Sequence, residues 1–186
     1  MSCCLLHDQM VDKNGHVVTT SLTLIDIHDI ARSARTYGVN NFFVAHSSPM
    51  LRELATTLRL HWEEGYGATY NPNRKEALAG LRIVDNLDQA IKELSLDTPN
   101  KRLKLVATSA KAGGSRITYS EFRNFLQESN ESFLLMLGTG WGMSKPLLER
   151  ADYFLEPIQG VTDYNHLSVR SACAIMLDRV SSPQNP

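Results

Sequence analysis

A chain of 186 residues, 42% hydrophobic and 21% charged, has the size and composition of one α/β domain that buries its core without help from metals or disulfides. A net charge of -1 excludes a globally basic nucleic-acid binder, and the longest apolar runs fall far short of a membrane span. Three cysteines, two of them adjacent, form neither a disulfide framework nor a zinc-ligand spacing, and the opening Met1-Ser2-Cys3-Cys4 lacks the basic start of a secretory signal, so a cytoplasmic protein without metal is expected.

The first predicted element is a strand from Cys3 to Leu6, with a turn at Asn14-Gly15 beyond it. Leu24, Ile27, Ile30, Ala31 and Ala34 then share one face of a helix. Phe42 to Ala45 is the next strand. Ser47 or Ser48 before Pro49 predicts a capped helix running through Leu51, Leu54 and Leu58 toward Trp62. Residues 65–74 are so rich in turn formers that an irregular loop is expected. Leu81 to Val84 and Leu103 to Ala107 read as strands around a helix from Leu87 to Leu94. Tyr119, Phe122, Phe125 and Leu126 mark another helix, Phe133 to Leu137 a fifth strand, Pro146 to Arg150 a short helix and Tyr153 to Leu155 a sixth strand. Leu167, Ala174, Ile175, Leu177 and Val180 predict a terminal helix, with residues 181–186 a loose tail after one domain spanning 1–180. Cys3, Cys4 and Cys173 are expected inside as small hydrophobes. This alternation predicts an α/β fold, a mostly parallel six-stranded sheet with helices on both faces.

Ligands of open α/β sheets bind beyond the carboxyl ends of the strands, which selects the loops starting at Thr108, Gly138 and Ile158. In the second of these, Gly138-Thr139-Gly140-Trp141-Gly142, alternate glycines let a backbone approach a nucleotide-like ligand closely. A nicotinamide reading would place Glu156 on a ribose, but Met143 stands where the third glycine of that fingerprint belongs. The common methyltransferase fold normally opens its sheet with the glycine loop, whereas here the loop comes late in the chain. No nucleophile elbow, phosphate-loop lysine or paired metal histidines occur, so chemistry is expected from a cofactor. Lys101, Arg102, Lys104, Lys111 and Arg116, without a carboxylate between 100 and 120, form a local cationic stretch, and Arg74-Lys75 a second. This stretch suits either a solvated rim or an anion-binding face.

The run Leu137-Gly138-Thr139-Gly140-Trp141-Gly142, followed by Asn165-His166-Leu167-Ser168-Val169-Arg170-Ser171-Ala172, resembles the second and third motifs of the SPOUT RNA methyltransferases. With Tyr70-Asn71-Pro72-Asn73-Arg74-Lys75-Glu76-Ala77-Leu78, the whole chain resembles a stand-alone bacterial subfamily of that class. The resemblance implies a C-terminal deep trefoil knot, S-adenosylmethionine bound in that knot, an RNA substrate (tRNA or rRNA) and a homodimer sharing its active sites. It carries the cofactor site onto Thr108, Ser109, Leu137, Gly138, Thr139, Gly140, Trp141, Gly142, Ile158, Gly160, Tyr164, His166, Leu167 and Ser168. Among the glycines no carboxylate is present, unlike the ribose-methylating branch of the class, and a guanine ring nitrogen is the expected target. Asp163, in the turn before Asn165, is the expected proton acceptor, with Asn165 beside it; an aspartate there also suits a residue bonding its own turn. Asn73, Arg74, Lys75, Lys111 and Arg116 are expected to contact RNA, since guanidinium forks grip phosphate. The other reading is a non-catalytic module that binds S-adenosylmethionine or RNA.

Overall fold

The computed structural model describes residues 1–111 and 113–182. Among the described residues sixteen elements follow one another: β1 (Ser2–Leu6), β2 (Met10–Val11), β3 (Val17–Val18), α1 (Leu24–Thr36), β4 (Phe42–Ala45), α2 (Pro49–Glu63), α3 (Tyr66–Tyr70) and α4 (Pro72–Leu78). Then come β5 (Leu81–Val84), α5 (Leu87–Asp97), β6 (Leu103–Ala107), α6 (Tyr119–Glu128), β7 (Ser132–Leu137), α7 (Lys145–Leu148), β8 (Tyr153–Phe154) and α8 (Val169–Ser181). Six strands form one sheet in the order β5-β4-β1-β7-β6-β8, with every pairing parallel. The first strand is therefore central, and its right-hand neighbour is β7, with Cys3 opposite Leu135.

Strands buried on both faces are apolar throughout, because successive side chains point to opposite sides. Cys3 and Leu5, Phe42 and Val44, and Phe133, Leu135 and Leu137 turn toward a core closed by α1, α2, α4, α6 and α8. Cys4 and Leu6, Phe43 and Ala45, and Leu134 and Met136 turn toward a second core under α5 and α7. All three cysteines are free and buried.

The expected Asn14-Gly15 turn is present and joins an antiparallel hairpin, β2 with β3, closed by Asp12, whose Oδ1 accepts the amides of Asn14 and His16 at 2.8 and 2.9 Å. Three expectations are corrected. Residues 65–74 are not an irregular loop but the helices α3 and α4. Their turn formers serve as caps: Asn71 accepts the Arg74 amide at 3.0 Å and Pro72 occupies the first turn. Gly67 gives close packing, since a Cβ there would come within 2.6 Å of Trp62 Cε3. The terminal helix starts at Val169, with Ser168 as its cap, leaving Leu167 outside it. Ser181 is the last residue of α8 rather than the start of a tail; residues 183–186 lie outside the described residues.

Candidate functional site

At the carboxyl edge of β6, β7 and β8 lies a cavity of about 740 Å³, within the usual range for small-molecule sites. The glycine loop after β7 forms one wall. Gly140 and Gly142 have φ of +59° and +107°, a left-handed backbone that glycine adopts without strain. The loop is strapped to the hairpin: the Trp141 amide donates to Val11 O at 3.2 Å, and the Val11 amide to Gly142 O at 2.9 Å. Thr139 donates to Leu6 O at 3.0 Å, and its hydroxyl also touches that of Thr20.

The loop after β6 supplies Thr108, whose hydroxyl donates to Met136 O at 2.8 Å, and Ser109, whose Oγ accepts the Lys111 amide at 3.0 Å. The third wall is the segment leading into α8. Asn165 Nδ2 donates to Ala110 O at 3.0 Å, which ties this segment to the β6 loop. Ser168 Oγ accepts the Ser171 amide at 3.4 Å and caps the helix. Of the cofactor residues expected from sequence, Thr108, Ser109, Leu137, Gly138, Thr139, Gly140, Trp141, Gly142, Ile158, His166, Leu167 and Ser168 line the cavity.

Gly160 and Tyr164 do not line it, although Tyr164 reaches its rim through an edge contact of 5.5 Å with His166. Asp163 is also absent from the wall. The turn carrying it projects into solvent, as the full exposure of Val161 shows, so closeness in sequence to Asn165 does not bring the carboxylate to the cavity. The carboxylates in the wall are Asp26 and Glu156. Glu156 Oε1 accepts the Tyr119 amide at 2.8 Å, a favourable place for an anion at a helix N-terminus. Asp26 is 8% exposed, bonded to the Thr23 hydroxyl and 3.0 Å from Arg170 Nη1. The same guanidinium bridges to Asp29 at 3.4 Å.

Thr20, Ser21, Asp26, Tyr119 and Arg170 also line the cavity without having been picked from sequence. The carboxyl-edge rule would have selected Thr20 and Ser21, in the connection after β1, had β1 been known to adjoin β7. Arg170 lies inside the third motif. Burial raises the Tyr119 phenol above its ordinary range, opposed by Arg179, and its hydroxyl has no hydrogen-bond partner among the described residues.

The expected RNA contacts divide. Lys111 lines the cavity. Arg116 is no anion clamp: its guanidinium donates to Gly113 O, Leu155 O and Lys111 O at 2.9, 3.0 and 2.8 Å and so staples the β6 loop to the end of β8. Asn73, Arg74 and Lys75 lie on α4, outside the cavity.

A family model described as SAM-dependent RNA methyltransferase matches residues 1–182. The chain belongs to this family. An uncharacterized protein of Aquifex aeolicus is 38% identical to this family member over 178 residues, covering 96% of the chain and 86% of that protein. A tRNA (guanine-N(1)-)-methyltransferase of Nitratidesulfovibrio vulgaris is 41% identical over 96% of the chain, which spans 41% of that relative's length. The SpoU methyltransferase AviRb of Streptomyces viridochromogenes, solved with AdoMet, has a TM-score of 0.58 at 13% identity, covering 97% of this chain and 56% of that one. TrmJ of Z. mobilis gives 0.62 at 13% identity over 98% and 69%. The fold is that of the SpoU methyltransferases, and the cofactor of this SAM-dependent RNA methyltransferase family is S-adenosylmethionine. The cavity fits it. A Cβ on Gly142 would meet nothing within 4 Å, leaving room against the backbone, and the hydroxyls and Glu156 of the wall suit ribose hydroxyls and a cationic amino-acid tail.

Proposed function

We propose that the protein methylates a base of RNA, a guanine ring nitrogen of tRNA, as a cytoplasmic homodimer whose cofactor sits in a C-terminal trefoil knot. The observation that carries this reading is the convergence of the glycine loop, the cap of α8 and a buried carboxylate on one cavity. The name of the Nitratidesulfovibrio relative supports guanine and tRNA. Support for the knot comes from the segment between Glu156 and Val169, which crosses to the β6 loop through Asn165 before α8 packs on the first core. Exposed Trp141, Val161, Tyr164 and Leu167 around the cavity support a subunit contact there, where Asp163 would meet the partner rather than its own cavity.

S-adenosylmethionine supplies an electrophilic methyl on sulfonium. In this reading Asp26 takes the role first given to Asp163. Its carboxylate would accept the proton that the ring N–H gives up when the nitrogen is methylated. Arg170 and Thr23 orient that carboxylate, each occupying one lone pair and leaving others to accept.

Calorimetric titration with S-adenosylmethionine and S-adenosylhomocysteine, with NADH as control and Gly140→Arg as blank, tests the site. Saturable binding lost in the variant, followed by transfer of labelled methyl to tRNA, is expected. Binding without transfer to any RNA would leave a non-catalytic module, and NADH binding would overturn the reading.

A further inference from the structure

Outside the cavity, α3 displays Tyr66 and Tyr70 at 76% and 71% exposure, one turn apart on the same face, with rings stacked at 5.9 Å and 25°. Two large rings held parallel in water need a reason, because an exposed aromatic pair forfeits burial that packing inward would give. The neighbouring helix brings a cation. Arg74 lays its guanidinium over Trp62 at 4.6 Å from the ring centroid, and among the described residues its N–H donors have neither a hydrogen-bond nor an ion-pair partner. Most guanidiniums of this chain are engaged elsewhere, Arg116 on three carbonyls and Arg170 on two carboxylates. Carboxylates beside the surface are largely neutralised: Glu76 pairs with Arg35 and Glu63 with Arg59 at 3.6 Å, which leaves Glu64 against Arg74 and Lys75.

We propose that Tyr66, Tyr70 and Arg74 form a docking surface for unpaired RNA, with bases stacking on the tyrosine rings and a phosphate held by the guanidinium. Stacked aromatics beside an oriented arginine are the recurring means of holding single-stranded nucleic acid without reading its sequence. A duplex keeps its base faces covered and gains nothing from the tyrosines. Helix α1 adjoins both places: His28 meets Trp62 edge-on at 5.7 Å on one side of it, and Asp26 of the cavity wall lies on the other. The inference rests on the RNA-methyltransferase reading and adds to it an unpaired substrate segment.

The test is fluorescence anisotropy of the full chain with a labelled, unstructured RNA oligonucleotide and a duplex of equal length. Tyr66→Ala and Tyr70→Ala should each weaken single-strand binding about tenfold, while the Phe variants keep it and duplex binding is unmoved. Arg74→Ala should flatten the dependence of log Kd on log salt by about one phosphate contact. S-adenosylhomocysteine titration of each variant separates the two ideas. Wild-type cofactor binding with unchanged RNA affinity in the tyrosine variants would overturn the docking surface and leave the methyltransferase reading intact. Absence of cofactor binding in the wild type would overturn that reading, with the RNA arm still deciding the surface. Sedimentation showing dimer loss in the tyrosine variants without a change in RNA affinity would assign the surface to a second copy of the chain and sink the proposal.

Discussion

The hydroxyls of Thr20 and Thr139 lie 2.5 Å apart, joining the connection after β1 to the glycine loop. Thr139→Val removes one partner of the Thr20 hydroxyl, which keeps its bonds to His7, and the donor to Leu6 O, at a cost of about 0.5–1.5 kcal/mol for each bond lost. Urea unfolding should register that loss, and S-adenosylhomocysteine binding should weaken as the loop loosens. Thr139→Ser should restore both.

Behind that pair sits His7, 1% exposed, with Nδ1 3.1 Å from Thr20 Oγ1 and its ring stacked on His46 at 5.2 Å. Burial, and then the neighbouring His46, lower its pKa to about 4. The unfolded chain therefore binds a proton near pH 6.5 that the folded one refuses until about pH 4. Stability is full above pH 6.5 and falls as pH drops toward 4, by about 2 kcal/mol between pH 7 and 4.5. Unfolding free energies at the two pH values check this, and His7→Asn should flatten the slope. A slope unchanged in His7→Asn would show that other groups carry it.

Glycine substitutions in the loop should separate strain from crowding. Gly140→Ala places a methyl 3.1 Å from Thr20 Cγ2 and 3.4 Å from Val11 O on a left-handed backbone. A loss of about 2 kcal/mol in thermal unfolding is expected. Gly142→Ala meets nothing within 4 Å and carries the backbone strain alone. Its larger effect should appear in cofactor affinity, because Gly142 lines the cavity.

Asp26 and Arg170 should respond differently. Arg170→Ala leaves a mostly buried carboxylate without its cation and should destabilise the fold by about 2 kcal/mol, reduced from the fully buried case because the arginine is a third exposed. Asp26→Asn keeps the shape of the side chain but gives up the ion pair with Arg170 and one of two acceptor atoms. It should leave S-adenosylhomocysteine binding near wild type while lowering methyl transfer at least about 100-fold.

All six sheet strands were legible in the sequence: the central strands are buried apolar runs, as Phe133–Leu137 is, and β5 and β6 keep their apolar residues around Arg82 and Lys104. The hairpin was not: two-residue strands with Val17 in solvent carry no period to read. The helices α3 and α4 were hidden because Gly67, Asn71 and Pro72, read as turn formers, act there as a packing gap and two caps. In the site, the glycine loop and the cap of α8 could be found from local motifs. Asp26 could not, since its membership depends on Arg170, 144 residues away. Arg116 was legible as a cation, but nothing local shows that three carbonyls take its donors.

The pairing of Cys3 with Leu135 also constrains how the molecule comes to exist. During synthesis β1 emerges long before β7, and one of its edges stays uncovered until β7 has left the ribosome. Contacts of such separation fold slowly, and an apolar strand waiting with an open edge invites pairing with other chains. Thr20 waits as long for Thr139. A nascent chain stopped before β7 thus holds half of a sheet and none of the glycine-loop wall, so cofactor binding can report completed folding.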